Sequence, residues 1–342
     1  MAITCLKDRG TVQIPVTELA RFAYPKENPR ELSHRYGFVR DEVYEGYDYG
    51  DRPSTDAKTA GISAHNAYET DMVTHAGISR EVPLEIGTVY EGLPVTVNGI
   101  ADIVAFDGIS HTVEEVKTKA FLPYSITPFD DPSVFAQAAS YAHMLAESEG
   151  LSHVRIRITF VKRNTGDRIS FSALFAASAL KSLFQALIQR AGPFLKLHFE
   201  KATLLPEEIV RCPFPFKGIR DGQRDFVLEA FRTVKSGGQL FVSAPTGIGK
   251  TMASLYPAVK GIGIGEAERI FYLTSKTVTG LAALDAARTL IKSIPHLRAI
   301  MITAKEMQCP HRAEKAKGTS LFPCSLCENR NDGHSEDGTF LS

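Results

Sequence analysis

The chain has 342 residues, with 39 Lys plus Arg against 39 Asp plus Glu and a 44% hydrophobic, 23% charged composition, which suits an ordinary globular protein of two domains and excludes a disordered or fibrous one. The neutral total gives no argument for nucleic-acid binding, which has to rest on local sites: residues 1–205 hold 21 basic and 25 acidic side chains, and residues 206–342 hold 18 and 14. No charge-free stretch reaches the roughly 20 apolar residues of a membrane helix, and Met1–Asp8 offers neither a basic head with an apolar run nor a cleavage site, so a cytoplasmic protein without a membrane span is expected.

Residues 1–60 are polar and mixed, with one helix-like segment around Val16 to Ala23. From Glu81 the pattern turns strand-like: Glu81 to Tyr90, Leu93 to Val97 continuing through Ile100 to Phe106, then Thr112 to Thr118, with turns at Glu91-Gly92 and Asp107-Gly108. This predicts a three-stranded meander. Asp131 as N-cap, Pro132 at the first helical position and Gly150 as the stop bracket a periodic run from Val134 to Glu149, and predict a helix with good ends. A strand at Val154 to Val161, a hairpin partner at Ile169 to Leu174 and an amphipathic helix at Ala177 to Leu197 follow.

The Pro-rich passage Pro206 to Pro215 is the expected domain boundary. Beyond it the chain alternates: a helix (Gly222 to Val234), a strand (Gln239 to Ser243), a Gly-rich loop, a helix from Lys250 and a strand (Arg269 to Leu273), the mark of a parallel α/β sheet. From Lys305 onward the chain is rich in Cys, His, Gly and Lys. The expected division is therefore 1–205, 206–304 and 305–342, in a chain of α/β class.

The loop reads Ala244-Pro245-Thr246-Gly247-Ile248-Gly249-Lys250-Thr251. Glycines there let backbone N–H groups close round phosphates, the following helix adds partial positive charge, Lys250 reaches the β- and γ-phosphates, and Thr251 holds Mg²⁺, so ATP is the expected ligand. The string resembles the nucleotide loop of superfamily 2 DNA helicases of the XPD/DinG type. Gln223, with Arg220, precedes the loop where such helicases carry an adenine-reading Gln, and Arg269 to Thr277 looks like their next motif, which touches DNA backbone. The resemblance implies a RecA-like ATP-binding domain. No Asp-Glu pair follows on an apolar strand, so ATP hydrolysis and unwinding by this chain alone are not expected.

Three of the five cysteines, Cys309, Cys324 and Cys327, lie near the C-terminus with spacing suited to metal ligation. Iron–sulfur and zinc both remain open on spacing alone, zinc being completed by His311 or His334. The helicase resemblance implies a 4Fe–4S cluster, although the fourth cysteine of that pattern is absent. Cys5 and Cys212 are expected to be ordinary thiols.

In the meander, Asp102 follows Gly99-Ile100-Ala101, and Glu115 and Lys117 lie two apart on the next strand, so they share a face that Asp102 can meet. Two carboxylates and a lysine at one spot suit Mg²⁺- or Mn²⁺-assisted phosphodiester hydrolysis. Gln137 and Tyr141 are four apart on the capped helix, and Gly61, His65 and Glu69 precede the meander at helical spacing. This order resembles RecB-like nucleases of the PD-(D/E)XK superfamily over roughly residues 12–200. The resemblance implies a restriction-endonuclease-like fold, His65, Asp102 and Glu115 as metal ligands, Lys117 as a catalytic group, and Gln137 and Tyr141 as supports for the site and DNA. Glu69 reads equally well as a solvated helix face, and Glu114 should point away from Glu115. His75, His111 and His143 are expected to be structural or surface residues.

Together these readings describe a metal-dependent deoxyribonuclease joined to the beginning of an iron–sulfur helicase, acting in DNA processing, repair or defence on DNA with single-stranded character. The alternative is a nuclease fold without catalysis that serves as a DNA-binding module beside an ATP-binding domain.

Overall fold

The computed structural model describes residues 3–7, 10–23, 28–40, 57–72, 77–123, 125–163 and 165–302. The chain falls into two compact units, Met1–Glu207 and Glu208–Ser342.

The first unit runs β1 (Thr4–Leu6), β2 (Thr11–Pro15), α1 (Val16–Leu19) with a 3₁₀ turn at Ala20–Phe22, α2 (Pro29–Arg35), β3 (Val39–Arg40) and α3 (Ala57–Met72). It continues through β4 (Ile78–Tyr90), β5 (Leu93–Phe106), β6 (His111–Lys119), α4 (Pro132–Glu149), β7 (His153–Lys162) and β8 (Arg168–Ala176) to α5 (Ala177–Arg211). The meander, the capped helix and the β7–β8 hairpin therefore form as the sequence predicts. Asp131 accepts the Ser133 N–H at 3.0 Å, and Gly150 closes α4 in the left-handed region at φ 63°.

The eight strands make one mixed sheet in the order β1-β2-β5-β6-β7-β8-β3, with β4 also paired to β5. β5 organises it. Along one edge it carries β4 from Leu93 to Ala105. Its other edge is divided: Val95–Asn98 run parallel to Val12–Pro15 of β2, and Ile103–Phe106 run antiparallel to His111–Glu114 of β6. The four residues between, Gly99 to Asp102, have a ladder to neither β2 nor β6. The sheet forks there. On the β4 side the pairing passes from Arg80↔Ile103 to Val82↔Ala101, stepping over Asp102, and Glu81 opposite it adopts φ 50°. A non-glycine residue at positive φ costs on the order of 1 kcal/mol or more and collects near functional sites.

One face of the sheet is covered by α4 and α5, which bury Val134 through Ala146 and Leu180, Phe184, Ile188 and Leu195 against Val113, Ile156, Ile158 and Phe175. A smaller cluster, Tyr68 with Ile103, Val116 and Val161, seats α3. Glu114 and Glu115 are consecutive on β6, so one points to each face.

Two expectations are corrected. α5 extends to Arg211 rather than stopping at Leu197, and takes in Pro193 and Pro206. Leu205 and Ile209 are both buried, so the apolar face runs on past the expected end and the packing outweighs two prolines. In the second unit, α6 (Gln223–Ser236), α7 (Lys250–Gly263) and α8 (Thr277–Ile291) form, but among the described residues the segments expected as strands, Gln239–Ser243 and Arg269–Leu273, do not. Phe241 and Leu273 stand 91% and 88% exposed. An apolar run becomes a strand only when a neighbour supplies its ladder, and here none does. Lys260 on α7 donates to the carbonyls of Ile209, Val210 and Cys212 at 2.6, 3.0 and 2.7 Å, satisfying the end of α5 as a cation at a helix C-terminus can.

Gly99 is required by close approach, since a Cβ there would lie 2.5 Å from the Tyr141 hydroxyl. Gly99→Ala is expected to lower the unfolding free energy by about 1–3 kcal/mol, the usual cost of overpacking, read from urea denaturation of the parent and the variant.

Candidate functional site

The fork in β5 decides where the site lies. Without a β6 ladder at this level, the Val116 N–H donates at 2.8 Å to the Asp102 Oδ2, so the carboxylate closes the gap that the diverging strands leave. The same Oδ2 lies 3.4 Å from the His65 Nε2, and the His65 Nδ1 lies 3.4 Å from the Glu69 Oε1. His65 and Glu69 are one helical turn apart on α3, so they present their side chains together.

These three residues could hold a metal ion: one ligand atom from each lies within 4.8 Å of the others. An imidazole and two carboxylates are donors suited to a divalent cation. Glu69 is only 3% exposed and so is no solvated helix face. Burial raises its pKa, with the charge of His65 opposing and those of Asp102 and Glu81 adding. His65 is held above its usual range chiefly by the hydrogen bond to Asp102, against burial, with the Asp102 and Glu69 charges adding.

Glu115, expected as a ligand, faces a different partner. Its carboxylate accepts a short hydrogen bond from the Lys117 ammonium, and burial pushes it up to about 7, with Asp102 adding and Lys117 opposing. Burial alone would lower Lys117, but the Glu115 charge and hydrogen bond, with the Asp102 and Asp131 charges, together outweigh it and the lysine is raised. Lys117 also donates to the Gln137 Oε1 at 3.4 Å. Tyr141, one turn further along α4, meets the backbone of Ile100, and its phenol is raised by burial and by Glu115 and Asp102. The sequence-predicted residues His65, Asp102, Glu115, Lys117, Gln137 and Tyr141 are thus brought together round the fork.

Behind the site, on the α3 side, Glu114 is buried and accepts from the Tyr68 hydroxyl at 2.6 Å and the Thr159 hydroxyl at 2.5 Å. Tyr68 was not singled out by sequence reasoning. Its position three residues after His65 on the helix was the available signal.

In the second unit the Gly-rich loop is closed on itself. Gly247 and Gly249 sit at φ 86° and 85°, and the Lys250 ammonium donates to the carbonyls of Ala244 and Pro245 at 3.0 and 2.9 Å. Thr246 and Ile248 lie between these fixed points, and Thr251 opens the second position of α7. Gln223 is buried, accepts from the Arg220 backbone N–H at 3.1 Å and donates to the Gly249 carbonyl at 3.3 Å, while the Arg220 guanidinium donates to the Gly247 carbonyl. Both ends of the Gln223 amide therefore brace the loop. Cys5 and Cys212 are free thiols, each raised by burial. Cys309, Cys324 and Cys327, with His311 and His334, lie outside the described residues.

No family profile and no curated protein matches the chain. It is similar to a solved structure of SSO0001 at 15% identity, over 52% of this chain and 75% of that one, with a TM-score of 0.31; a likeness this slight says nothing of activity. No helix among the described residues is long and apolar enough to cross a membrane.

The raised His65 pKa carries a sign. Protonated His65 contributes stability that is fully present below the unfolded-state value of about 6.5 and is lost as pH rises through the folded value. NMR titration of His65 is expected to give a midpoint above about 6.5, and Asp102→Asn should bring it down and remove that pH-dependent contribution.

Proposed function

We propose that the first unit is a divalent-metal-dependent deoxyribonuclease acting on DNA with single-stranded character, and that the second is an ATP-binding module of the XPD/DinG helicase type. The observation that supports it most is the convergence at one strand fork of His65, Glu69 and Asp102 with the Glu115–Lys117 pair. His65, Glu69 and Asp102 would hold Mg²⁺ or Mn²⁺, which when bound supplies an activated water and a Lewis acid for the phosphodiester. Glu115 keeps the Lys117 ammonium charged and pointed, so that it can steady negative charge developing on a phosphate. Gln137 limits the lysine's swing, and Tyr141 packs over Gly99 to fix the backbone that carries Asp102.

In the second unit, the loop from Ala244 to Thr251 would take the phosphates of ATP, with Lys250 leaving its two carbonyls for them and the start of α7 adding its partial charge. Cys309, Cys324 and Cys327 would supply thiolates to a 4Fe–4S cluster. A helicase-type ATP-binding module joined in one chain to a cutting site suits DNA processing, in repair or in defence.

Cleavage of end-labelled single-stranded DNA by the purified chain with Mg²⁺ or Mn²⁺ tests this. Asp102→Ala and Lys117→Ala should each lose on the order of 100-fold or more in rate. If the parent and both variants are equally inert with either metal, the first unit is a binding module instead. Separately, Lys250→Ala should abolish ATP binding, measured by calorimetry, while leaving DNA cleavage unchanged.

A further inference from the structure

His65 and Glu69 reach Asp102 only if α3 is seated at the right height above the sheet, yet among the described residues little apolar packing seats it. Its buried cluster consists of Tyr68, Ile103, Val116 and Val161, with Ala64 and Ile78 at the margin. Against that small patch stands a chain of polar contacts that no metal or substrate role requires. The Tyr68 hydroxyl donates to the Glu114 Oε1 at 2.6 Å, the same oxygen accepts from Thr159, and the Thr159 hydroxyl lies 2.8 Å from that of Ser170. The Arg168 guanidinium stacks 5.1 Å from the centre of the Tyr68 ring, and its Nη1 lies 3.7 Å from Asp71, three residues on along α3. Tyr68 stands between His65 and Glu69 in sequence, while Glu114 adjoins Glu115 on β6. A hydrogen bond between these two therefore ties the helix that carries two of the candidate ligands to the strand that carries the lysine pair.

Burial makes that bond selective. A carboxylate 2% exposed tolerates its position only while donors satisfy it, and α3 supplies one of the two hydroxyls from a single residue. Shifting α3 by a helical step would take the Tyr68 donor from Glu114 and would bring Glu69 away from Asp102. Only one seat satisfies both the buried Glu114 and the three-residue cluster.

We infer that Tyr68 and Glu114 form a positioning pair that sets α3 against β6 and so completes the His65–Glu69–Asp102 metal site. The inference rests on the metal-dependent reading above. Neither residue touches the metal or the substrate; each acts through the ligands beside it.

The test is calorimetric titration of MnCl₂ into the full chain as the parent, Tyr68→Phe, Glu114→Gln and the double variant, with a thermal melt of each and DNA cleavage at low and saturating Mn²⁺. Each single variant should weaken Mn²⁺ binding about tenfold, as loss of a group orienting a ligand does. The double variant should lose no more than either single one, because one bond is removed in all three. Cleavage should fall at low Mn²⁺ and return to the parent rate at saturation, a rescue that general loosening of the fold would not give. Single variants that bind Mn²⁺ as the parent does, losses that multiply in the double variant, or cleavage that stays low at saturation would each overturn the pair while leaving the nuclease reading intact. A chain that no longer folds in either variant also counts against it, since the pair would then support the sheet and not the site. A parent that takes up no Mn²⁺ at all sinks the metal reading and the pair with it.

Discussion

Everything at the site follows from β5 having more partners than one edge can hold along its length. β4 occupies one edge, and β2 and β6 divide the other. Because β2 runs parallel to β5 and β6 antiparallel, the two cannot merge into one ladder, and a gap of four residues opens between them. Backbone groups in such a gap still need partners. The Asp102 carboxylate meets one of those needs by accepting the Val116 N–H, so a side chain does the work of a missing carbonyl. A carboxylate fixed in this way is pre-oriented, with no rotamer search left for a ligand to pay for.

The fork also explains how groups from both faces of a sheet meet. Within an intact ladder, α3 and α4 would be separated by the full thickness of the strands. At the gap, Asp102 lies between them, interacting with His65 from α3 and adding its charge to Glu115 and Tyr141 on the α4 side. The positive φ of Glu81, opposite Asp102, belongs to the same event. Its strain is on the order of 1 kcal/mol or more, small beside a core that includes Phe160, Ile156, Ile158 and Leu180, all fully buried, so the fold can carry it.

Much of this was legible in the sequence because local rules agree with the tertiary result. The Asp131–Pro132 start and Gly150 stop of α4, and the turns at Glu91-Gly92 and Asp107-Gly108, are chemical signals read within a few residues. Where the outcome depends on distant partners the sequence was mute. β2 is five residues, Thr11–Pro15, almost wholly buried, yet nothing near it in the chain shows that β5 lies waiting. Glu69 stayed open between a site residue and a solvated helix face because the groups it meets, His65 aside, lie on strands later in the chain. The strand-like runs about Phe241 and Leu273 err in the opposite direction: their apolar pattern is strong, but a parallel strand exists only through its neighbours. The α5 overrun past Pro206 is a third kind of failure, in which Leu205 and Ile209 outweigh a residue that usually ends a helix.

Glu114 and Glu115 show how one strand separates structure from chemistry. They are neighbours, both buried, and both raised by burial. Glu114 accepts from two hydroxyls, with the Arg157 and Arg168 charges adding at longer range. Glu115 is satisfied by the Lys117 ammonium, and an ion pair in a buried place is costly relative to an apolar pair of the same size. If stability were the only constraint on β6, the second arrangement would be a poor solution, because hydroxyl donors or apolar packing would serve as well. The residue hydrogen-bonded to an ammonium is the one beside the fork and the Asp102 carboxylate, and the residue hydrogen-bonded to hydroxyls faces the helix that has to be held in place. Alternation along a single strand thus gives the anchoring of α3 to one side chain and the charged pair to the next, so that each can change without disturbing the other's contacts.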